Sequence, residues 1–341
     1  MRWEPQVRFC EQQWGKFPLL TRLPLYRQMQ RFERGGVTLP YSTITDWVKA
    51  VCELIIPLYE AHKRQVLDTH YLHVDETTIK VLDKDKKGAS HLGYLWVYHN
   101  SLQKIVLFDY RPGRNAAGPS DMLKGFSGYL QTDGYEVYED FDGTVGITLM
   151  HCIAHGRRKF DEAKSNDKAR AEYALNQIQQ LYNIEQDCRD RKLDFDQIRD
   201  LRMQRAVPIL EHMKGWLIEQ YSQVLPQGVI GKAIAYNLKR WDKLSIYIRE
   251  GWLKIDNNPV ENAIRPVTLG RKNYLFAGSH AAAGRTAMLY SLMGTCKMHG
   301  INPYDWLKDM LTRIADHPIN RIEELLPQNS QLKLKSDDPS P

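Results

Sequence analysis

Apolar residues recur at helical spacing across residues 20–34, at Leu23, Leu25, Tyr26, Met29 and Phe32, and Gly35-Gly36 then break the pattern. After Pro40 and Ser42 a second helical stripe follows, with Ile44, Trp47, Val48 and Val51 on one face. Helix, glycine turn and Ser-capped helix resemble a helix-turn-helix. The link is longer than the three or four residues of that motif, so a plain helical hairpin is expected. The period then changes. The run from Tyr71 to Val81 is rich in β-branched and aromatic residues, and Leu92 to Tyr98 and Ile105 to Tyr110 are two more strand-like runs. The charged, Gly-containing loop from Asp83 to Ser90 separates the first two, which predicts an antiparallel meander. A helix over Ala116 to Phe126 and strands at Tyr129 to Gln131 and Val145 to Met150 extend the order, read as βββαβαβ. That order is an α/β fold with strands of mixed direction.

From Ile153 to Ile248 the strand signals vanish, and long helical patterns follow, broken near Pro208 and Pro226. This reads as a helical module set inside the α/β fold. Asn257-Asn258-Pro259 starts a new helix with Pro near its first turn. The polar stretch Gln328 to Pro341 reads as a disordered tail. The expected organisation is a helical segment over 1–68, a first catalytic part over 69–152, a helical insertion over 153–255, a completing part over 256–327 and the tail over 328–341.

Composition narrows the classes. With 43% apolar and 26% charged residues in 341, the chain reads as a soluble globular protein. No apolar run approaches the roughly 18 residues of a membrane span, and the N-terminus lacks the apolar core of a secretory signal. The five cysteines (Cys10, Cys52, Cys152, Cys188 and Cys296) are odd in number and widely spaced. They fit a reduced, cytoplasmic setting better than a disulfide framework. A net charge of +6 only tolerates polyanions. Its distribution says more: Asn262 to Tyr304 holds no acid but contains Arg265, Arg271, Lys272, Arg285 and Lys297. Two readings stay open, a surface facing polyanions and a basic face that pairs with acidic helices.

Three carboxylates stand out by position. Asp75 lies inside the first strand, Asp133 follows the strand ending near Thr132, and Glu261 sits one turn into the helix begun at Asn257. A carboxylate in or just after a strand is costly to bury unless paired or bound to metal. Strand ends are also where α/β sheets hold ligands. Two-metal phosphoryl transfer needs such groups, because hard divalent cations take oxygen ligands. Chance placement among 41 acids is the competing explanation.

Several separate motifs resemble one known family, the DDE transposases of the insertion sequence 66 group, from about Leu25 to Pro327. Asp75-Glu76-Thr77 is similar to its first-acid motif and Asp133-Gly134-Tyr135 to its second. The block His151-Cys152-Ile153-Ala154-His155-Gly156-Arg157-Arg158-Lys159-Phe160 resembles the segment that follows. Asn257 to Pro266 resembles the third-acid helix, and Gly270-Arg271-Lys272-Asn273 with Asp305-Trp306-Leu307 through His317-Pro318 resembles the C-terminal segment. The resemblance implies an RNase H-like mixed sheet with a mostly helical insertion. It implies that Asp75, Asp133 and Glu261 hold two Mg²⁺ ions, which Mn²⁺ can replace. Water then attacks the transposon end, and the freed 3′-hydroxyl attacks target DNA. The implied partners are DNA, as transposon ends and target, a second copy of the chain on that DNA, and accessory proteins of the element, with no membrane. Asn262 departs from the pattern, since many relatives carry Arg there. The family also has a longer N-terminal segment, so a copy lacking that segment is expected. Two rival functions follow: a non-mobile DNA-binding relic or repressor, and an RNase H-like nuclease without strand transfer.

Other residues carry weaker signals. Cys152 and His155 are spaced as half a zinc site, two of the four ligands that a structural site needs. The expectation is a packed junction without zinc, with His155 hydrogen-bonded and Cys152 buried. Arg157, Arg158 and Lys159 either meet phosphates or form a solvated helix face, and both readings stay open. Gly278-Ser279-His280 with Gly284-Arg285 is an acid-free glycine loop suited to close DNA contact. DNA binding is thus expected at Arg157, Arg158, Lys159, Arg265, Arg271, Lys272 and Arg285. Trp47, Trp96, Trp241 and Trp252 read as core.

Overall fold

The computed structural model describes residues 25–82 and 89–330. Cys10, the first residues of the expected N-terminal helix, most of the loop from Asp83 and the tail after Ser330 lie outside the described residues. The described residues open with helices α1 (Leu25–Arg34), α2 (Tyr41–Leu54) and α3 (Ile56–Leu67). Strands β1 (Tyr71–Leu82), β2 (Ser90–Asn100) and β3 (Ile105–Arg111) follow as the expected meander. Helix α4 covers only Ala117–Met122, shorter than the run to Phe126. Gly125 at φ +86° turns the chain out of helix before Phe126. Strand β4 is Gly128–Thr132, and a 3₁₀ turn over Glu136–Phe141 separates it from β5 (Ile147–His151). The strand start expected at Val145 is displaced because Gly146 takes φ +90° and leaves Val145 97% exposed in the turn.

The strands form one sheet in the order β3-β2-β1-β4-β5. Pairing is antiparallel across β1–β2 and β2–β3 and parallel across β1–β4 and β4–β5. Side chains alternate along β1. Leu72 and Val74 face a core with Trp96, Tyr98, Met122, Tyr138 and Phe141. Ile79 and Val81 face the opposite way, with Leu95 and Val97.

The helical module comprises α5 (Ile153–Ala163), α6 (Lys168–Asp190), α7 (Phe195–Leu201), α8 (Val207–Tyr221) and α9 (Val229–Leu244). A π-helical turn, Arg202–Ala206, joins α7 to α8, and Pro208 enters at the first turn of α8, where its missing N–H costs nothing. The module's own core includes Phe160, Leu181, Leu217, Ile234 and Trp241 and reaches Tyr71 and Met150 of the sheet. Helices α10 (Asn258–Gly270) and α11 (His280–Met298) cover the Ile79 face through Val260, Ile264, Ala283 and Ala287. Helix α12 (Pro303–Arg313) and a 3₁₀ segment, Ile319–Leu325, close a further core with α2 and α3. Trp96 and Trp241 are buried, whereas Trp47 and Trp252 are half-buried. No described helix is long and apolar enough to cross a membrane.

Edge strand β3 would leave backbone groups unpaired, and side chains of two helices satisfy them. Ser291 Oγ accepts from Phe108 N at 2.7 Å and Thr295 Oγ1 from Val106 N at 3.2 Å. Tyr59 Oη donates to Phe108 O at 2.6 Å, and His62 Nε2 lies 2.8 Å from Val106 O. Burial holds the pKa of both His62 and His99 down, to about 4. A lowered folded-state pKa stabilises the fold above the unfolded value and loses that effect as pH falls. Each of the two histidines is therefore expected to cost about 2 kcal/mol at pH 5 relative to neutral pH. Urea unfolding at pH 7 and pH 5 checks this, with His62→Gln flattening the pH dependence. An unflattened curve in that variant would contradict the assignment.

Candidate active site

Sheet register builds the site. The β1–β4 ladder pairs His73 with Gln131, and the β4–β5 ladder pairs Thr132 with His151. Continued by two residues and by one, these ladders set Asp75 inside β1, Asp133 just after β4 and Cys152 just after β5 in one row. In register, side chains of such a row share a face. Asp75 also pairs with Val97, which packs against Val260 of α10. The row therefore lies on the face that α10 covers from one side and the helical module from the other.

Asp75 is half-buried, and its carboxyl pKa is raised to about 8. Burial is the main cause, followed by the charges of Asp133 and Glu76, with Glu261 a smaller contributor. Its one opposing contact is the Glu76 N–H, which donates to Asp75 Oδ1 at 2.8 Å. The three predicted acids therefore share one electrostatic neighbourhood, with Glu76 as a fourth member. Sequence reasoning did not single Glu76 out. Its side chain is 4% exposed and is gripped by Arg114, with Nε donating at 2.8 Å, and by Tyr138 Oη at 2.9 Å. Arg114 also stacks on Tyr135, 3.7 Å from the ring centroid. The signal for Glu76 was its place beside Asp75, whereas nothing local marks Arg114 as its partner.

The loop carrying Asp133 is held from two sides. Asp133 Oδ1 accepts from Tyr135 N at 2.8 Å, an Asx turn. From α9 of the helical module, Tyr236 Oη donates to Asp133 O at 3.2 Å and Arg240 Nη2 to Gly134 O at 3.1 Å. Gly134 sits at φ +86°, and a Cβ there would lie 2.9 Å from Arg240 Nε. The second acid thus needs glycine after it.

Asn257, fully buried, ties the third acid to the row. Its Nδ2 donates to Val74 O at 3.0 Å, its Oδ1 lies 2.9 Å from His73 Nδ1, and its backbone N–H donates to Cys152 Sγ at 3.1 Å. Helix α10 starts at the next residue and carries Glu261 in its first turn. Asp256 secures this start by accepting from Asn258 N at 3.1 Å and from Tyr182 Oη of α6 at 3.1 Å.

The expected packed junction at Cys152 and His155 acquires a third member. Ligand atoms of Cys152, His155 and Glu261 all lie within 4.8 Å of one another, which makes this, among the described residues, the tight group of metal-ligating side chains. Burial pushes the Cys152 thiol up to about 12, against backbone hydrogen bonds from Asn257, His155 and Ala154. His155 is shifted down, chiefly by burial, with Asp133 and Glu261 opposing. The expected ring hydrogen bond of His155 is not met at Nδ1, which is buried without a partner, as is Glu261 Oε1.

The seven basic residues expected to meet DNA are not alike. Arg158, Arg265 and Lys272 are exposed, and Arg157 is half-buried. Arg271 is turned inward, donating through Nη1 to Thr78 O at 2.8 Å and to Thr78 Oγ1 at 2.7 Å. Lys159 pairs with Glu162 at 3.2 Å on the helix surface. The charge of Arg285 acts on the buried thiol of Cys52 in α2. The guanidinium of Arg271 thus serves β1 and pairs with no acidic helix in these contacts. In the glycine loop, Ser279 Oγ caps α11 by accepting from Ala282 N at 3.1 Å, and Ala277 N donates to Lys80 O at 2.7 Å. That loop extends the pairing of β1 and starts a helix.

Residues 19–285 match the sequence profile described as transposase IS66 family, and residues 291–328 match the IS66 C-terminal element. The chain belongs to the transposase IS66 family. Three proteins of Sinorhizobium fredii (strain NBRC 101917 / NGR234) are similar to this IS66 member. Uncharacterized protein y4hP is 31% identical over 328 residues, covering 89% of this chain and 58% of its own length. Uncharacterized protein y4jD is 31% identical and y4qI 32% identical, each over 90% of this chain and over 63% and 59% of their own lengths. The IS66 chain thus spans about three-fifths of the length of these relatives. No solved structure matches it significantly.

Proposed function

We propose that this chain is the catalytic part of a DDE transposase with an RNase H-like core, and that Asp75, Asp133 and Glu261 act together on DNA phosphodiesters. The observation that carries the reading is the register row that sets Asp75 beside Asp133, with Glu261 acting on the same carboxyl. The strand order β3-β2-β1-β4-β5, with a helical module between β5 and the third acid, supports the RNase H-like assignment.

The donor set fits hard divalent cations. Asp75 is disfavoured as an anion by burial and by three neighbouring acids, and a cation would relieve that cost. Asp75, Asp133 and Glu261 would hold Mg²⁺ or Mn²⁺ through carboxylate oxygens. When bound, such ions activate the attacking oxygen and stabilise the leaving one. Asp75 lies on the rigid central strand, and Asp133 is fixed by its Asx turn and by Tyr236 and Arg240, so the scissile phosphate meets prepositioned oxygens. Water attacks the phosphorus at the transposon end, the bond to the 3′ oxygen breaks, and a 3′-hydroxyl and a 5′-phosphate result. The 3′-hydroxyl then attacks a target phosphodiester, forming a new bond to its phosphorus while the target's own P–O3′ bond breaks and leaves a target 3′-hydroxyl.

Supplying a pre-cleaved transposon end, a target plasmid and Mg²⁺ tests the reading. Covalent joining of the two DNAs is expected. Cleavage without joining would mean a nuclease, and binding without either would mean a DNA-binding relic. Arg265 and Lys272 are the phosphate contacts of this proposal, and each change to alanine should lower the slope of log affinity against log salt by about 0.9. Fluorescence anisotropy across a salt series measures it, and unchanged slopes in both variants would remove these residues from the interface.

A further inference from the structure

We propose that Cys152, His155 and Glu261 form a binding site for a thiophilic divalent cation of the zinc class, which staples the start of the helical module to the helix that follows its end. The site goes beyond the Mg²⁺ reading, and rests on it only for the second duty of Glu261. Cys152 lies directly after β5, His155 in the first turn of α5, and Glu261 in the first turn of α10. The sequence separation is 261 − 152 = 109 residues, and the tertiary fold brings the three ligand atoms within 4.8 Å.

The donors select the cation. One sulfur, one ring nitrogen and one carboxylate oxygen suit zinc, whereas Mg²⁺ prefers oxygen alone. Three protein ligands leave a fourth tetrahedral position for water. Ligand atoms around such an ion lie about 3.3–3.8 Å apart for bonds of about 2.0–2.3 Å, a contraction within reach of Glu261 and His155 side-chain torsions.

Two independent observations point to an occupant. Glu261 Oε1 and His155 Nδ1 are both buried atoms without a hydrogen-bond partner, a costly arrangement that a bound cation would resolve. A second shell is also in place. The Asn257 N–H donates to Cys152 Sγ at 3.1 Å, and the Asn257 side chain is itself fixed by Val74 O and His73. Cys152 is anchored to β4 through its N–H to Thr132 O at 3.1 Å. A cation bound here would pin Glu261 beside the row of Asp75 and Asp133.

Titrating the metal-free full chain with Co²⁺, without DNA, tests the proposal. One equivalent should bind with a sulfur-to-cobalt charge-transfer band in the near ultraviolet, and Zn²⁺ should displace it and raise Tm. Cys152→Ser should abolish the band. His155→Gln and Glu261→Gln should keep the band and weaken cobalt binding at least about tenfold. No band in the unaltered chain, or a band that survives Cys152→Ser, would overturn the proposal. Should Cys152→Ser fail to fold by circular dichroism, the other two variants decide, and unchanged affinity in both overturns it. Because no DNA is present, intact cobalt binding without strand transfer would reject only the transposase reading, and the converse result only the staple.

Discussion

Asp75→Asn and Glu261→Gln are each expected to lower Mg²⁺-dependent strand cleavage by at least about a thousand-fold while the fold is kept. Removing one anionic ligand from a two-metal site forfeits several kcal/mol of transition-state stabilisation, and about 4 kcal/mol corresponds to that factor. The two variants should part company in stability. The Asp75 carboxyl pKa is raised to about 8 by burial and by Asp133, Glu76 and Glu261, so the ionised form is the one the fold disfavours. A neutral, near-isosteric Asn removes that penalty, and the metal-free variant should melt above the parent at pH 8. The raised pKa fixes the sign: the parent loses stability as pH rises towards 8, whereas the Asn variant does not. Differential scanning fluorimetry with EDTA, alongside cleavage of labelled DNA, measures both effects. A lower Tm for Asp75→Asn at pH 8, or cleavage within tenfold of the parent, would refute the account of the site.

Arg202→Ala is expected to destabilise the helical module by about 3–5 kcal/mol, the cost of leaving a buried charge without its partner. Arg202 is 1% exposed. Its Nε and Nη2 donate to the two carboxylate oxygens of Glu185 at 2.8 and 2.7 Å, a bidentate pair. The remaining donors reach Tyr247 O at 2.8 Å, Glu250 O at 2.7 Å and Leu253 O at 3.0 Å. Those carbonyls line the segment that leads from α9 to Asn257 and the third acid. Loss of the guanidinium therefore strands Glu185 and frees the lead-in to α10, so cleavage should fall with stability. Replacing both partners by apolar residues should cost less than Arg202→Ala alone, because no orphan charge remains. Urea unfolding of the two single variants and the double gives the coupling. Full additivity would show that the pair does not act as a unit.

Where helices and strands lie was largely legible in the chain. β-branched and aromatic residues marked β1, because one side of it packs on Trp96 and Tyr98 and the other on Val97 and α10. Period-3.6 stripes and prolines marked the helical module, since each helix buries one stripe in a shared core. The misplaced limits fell beside Gly125 and Gly146, whose positive φ keeps the adjoining Phe126 and Val145 out of the helix and the strand. Glu76 was quoted in its motif yet not weighed, because its burial depends on Arg114 and Tyr138 from other elements.

The sequence by itself determined the element order, the three acids as candidates and the acid-free stretch, because those depend on neighbours within a few residues. Only the tertiary structure decided which residues meet. Parallel register aligned Asp75 with Asp133 and Cys152, and the hydrogen bonds of Asn257 brought Glu261 to them across the whole helical module. It likewise separated the exposed Arg265 and Lys272 from Arg271, which shares their acid-free stretch but spends its guanidinium on Thr78. Charge and spacing are properties of the chain, whereas the partner of a charge is set by packing between elements far apart in sequence.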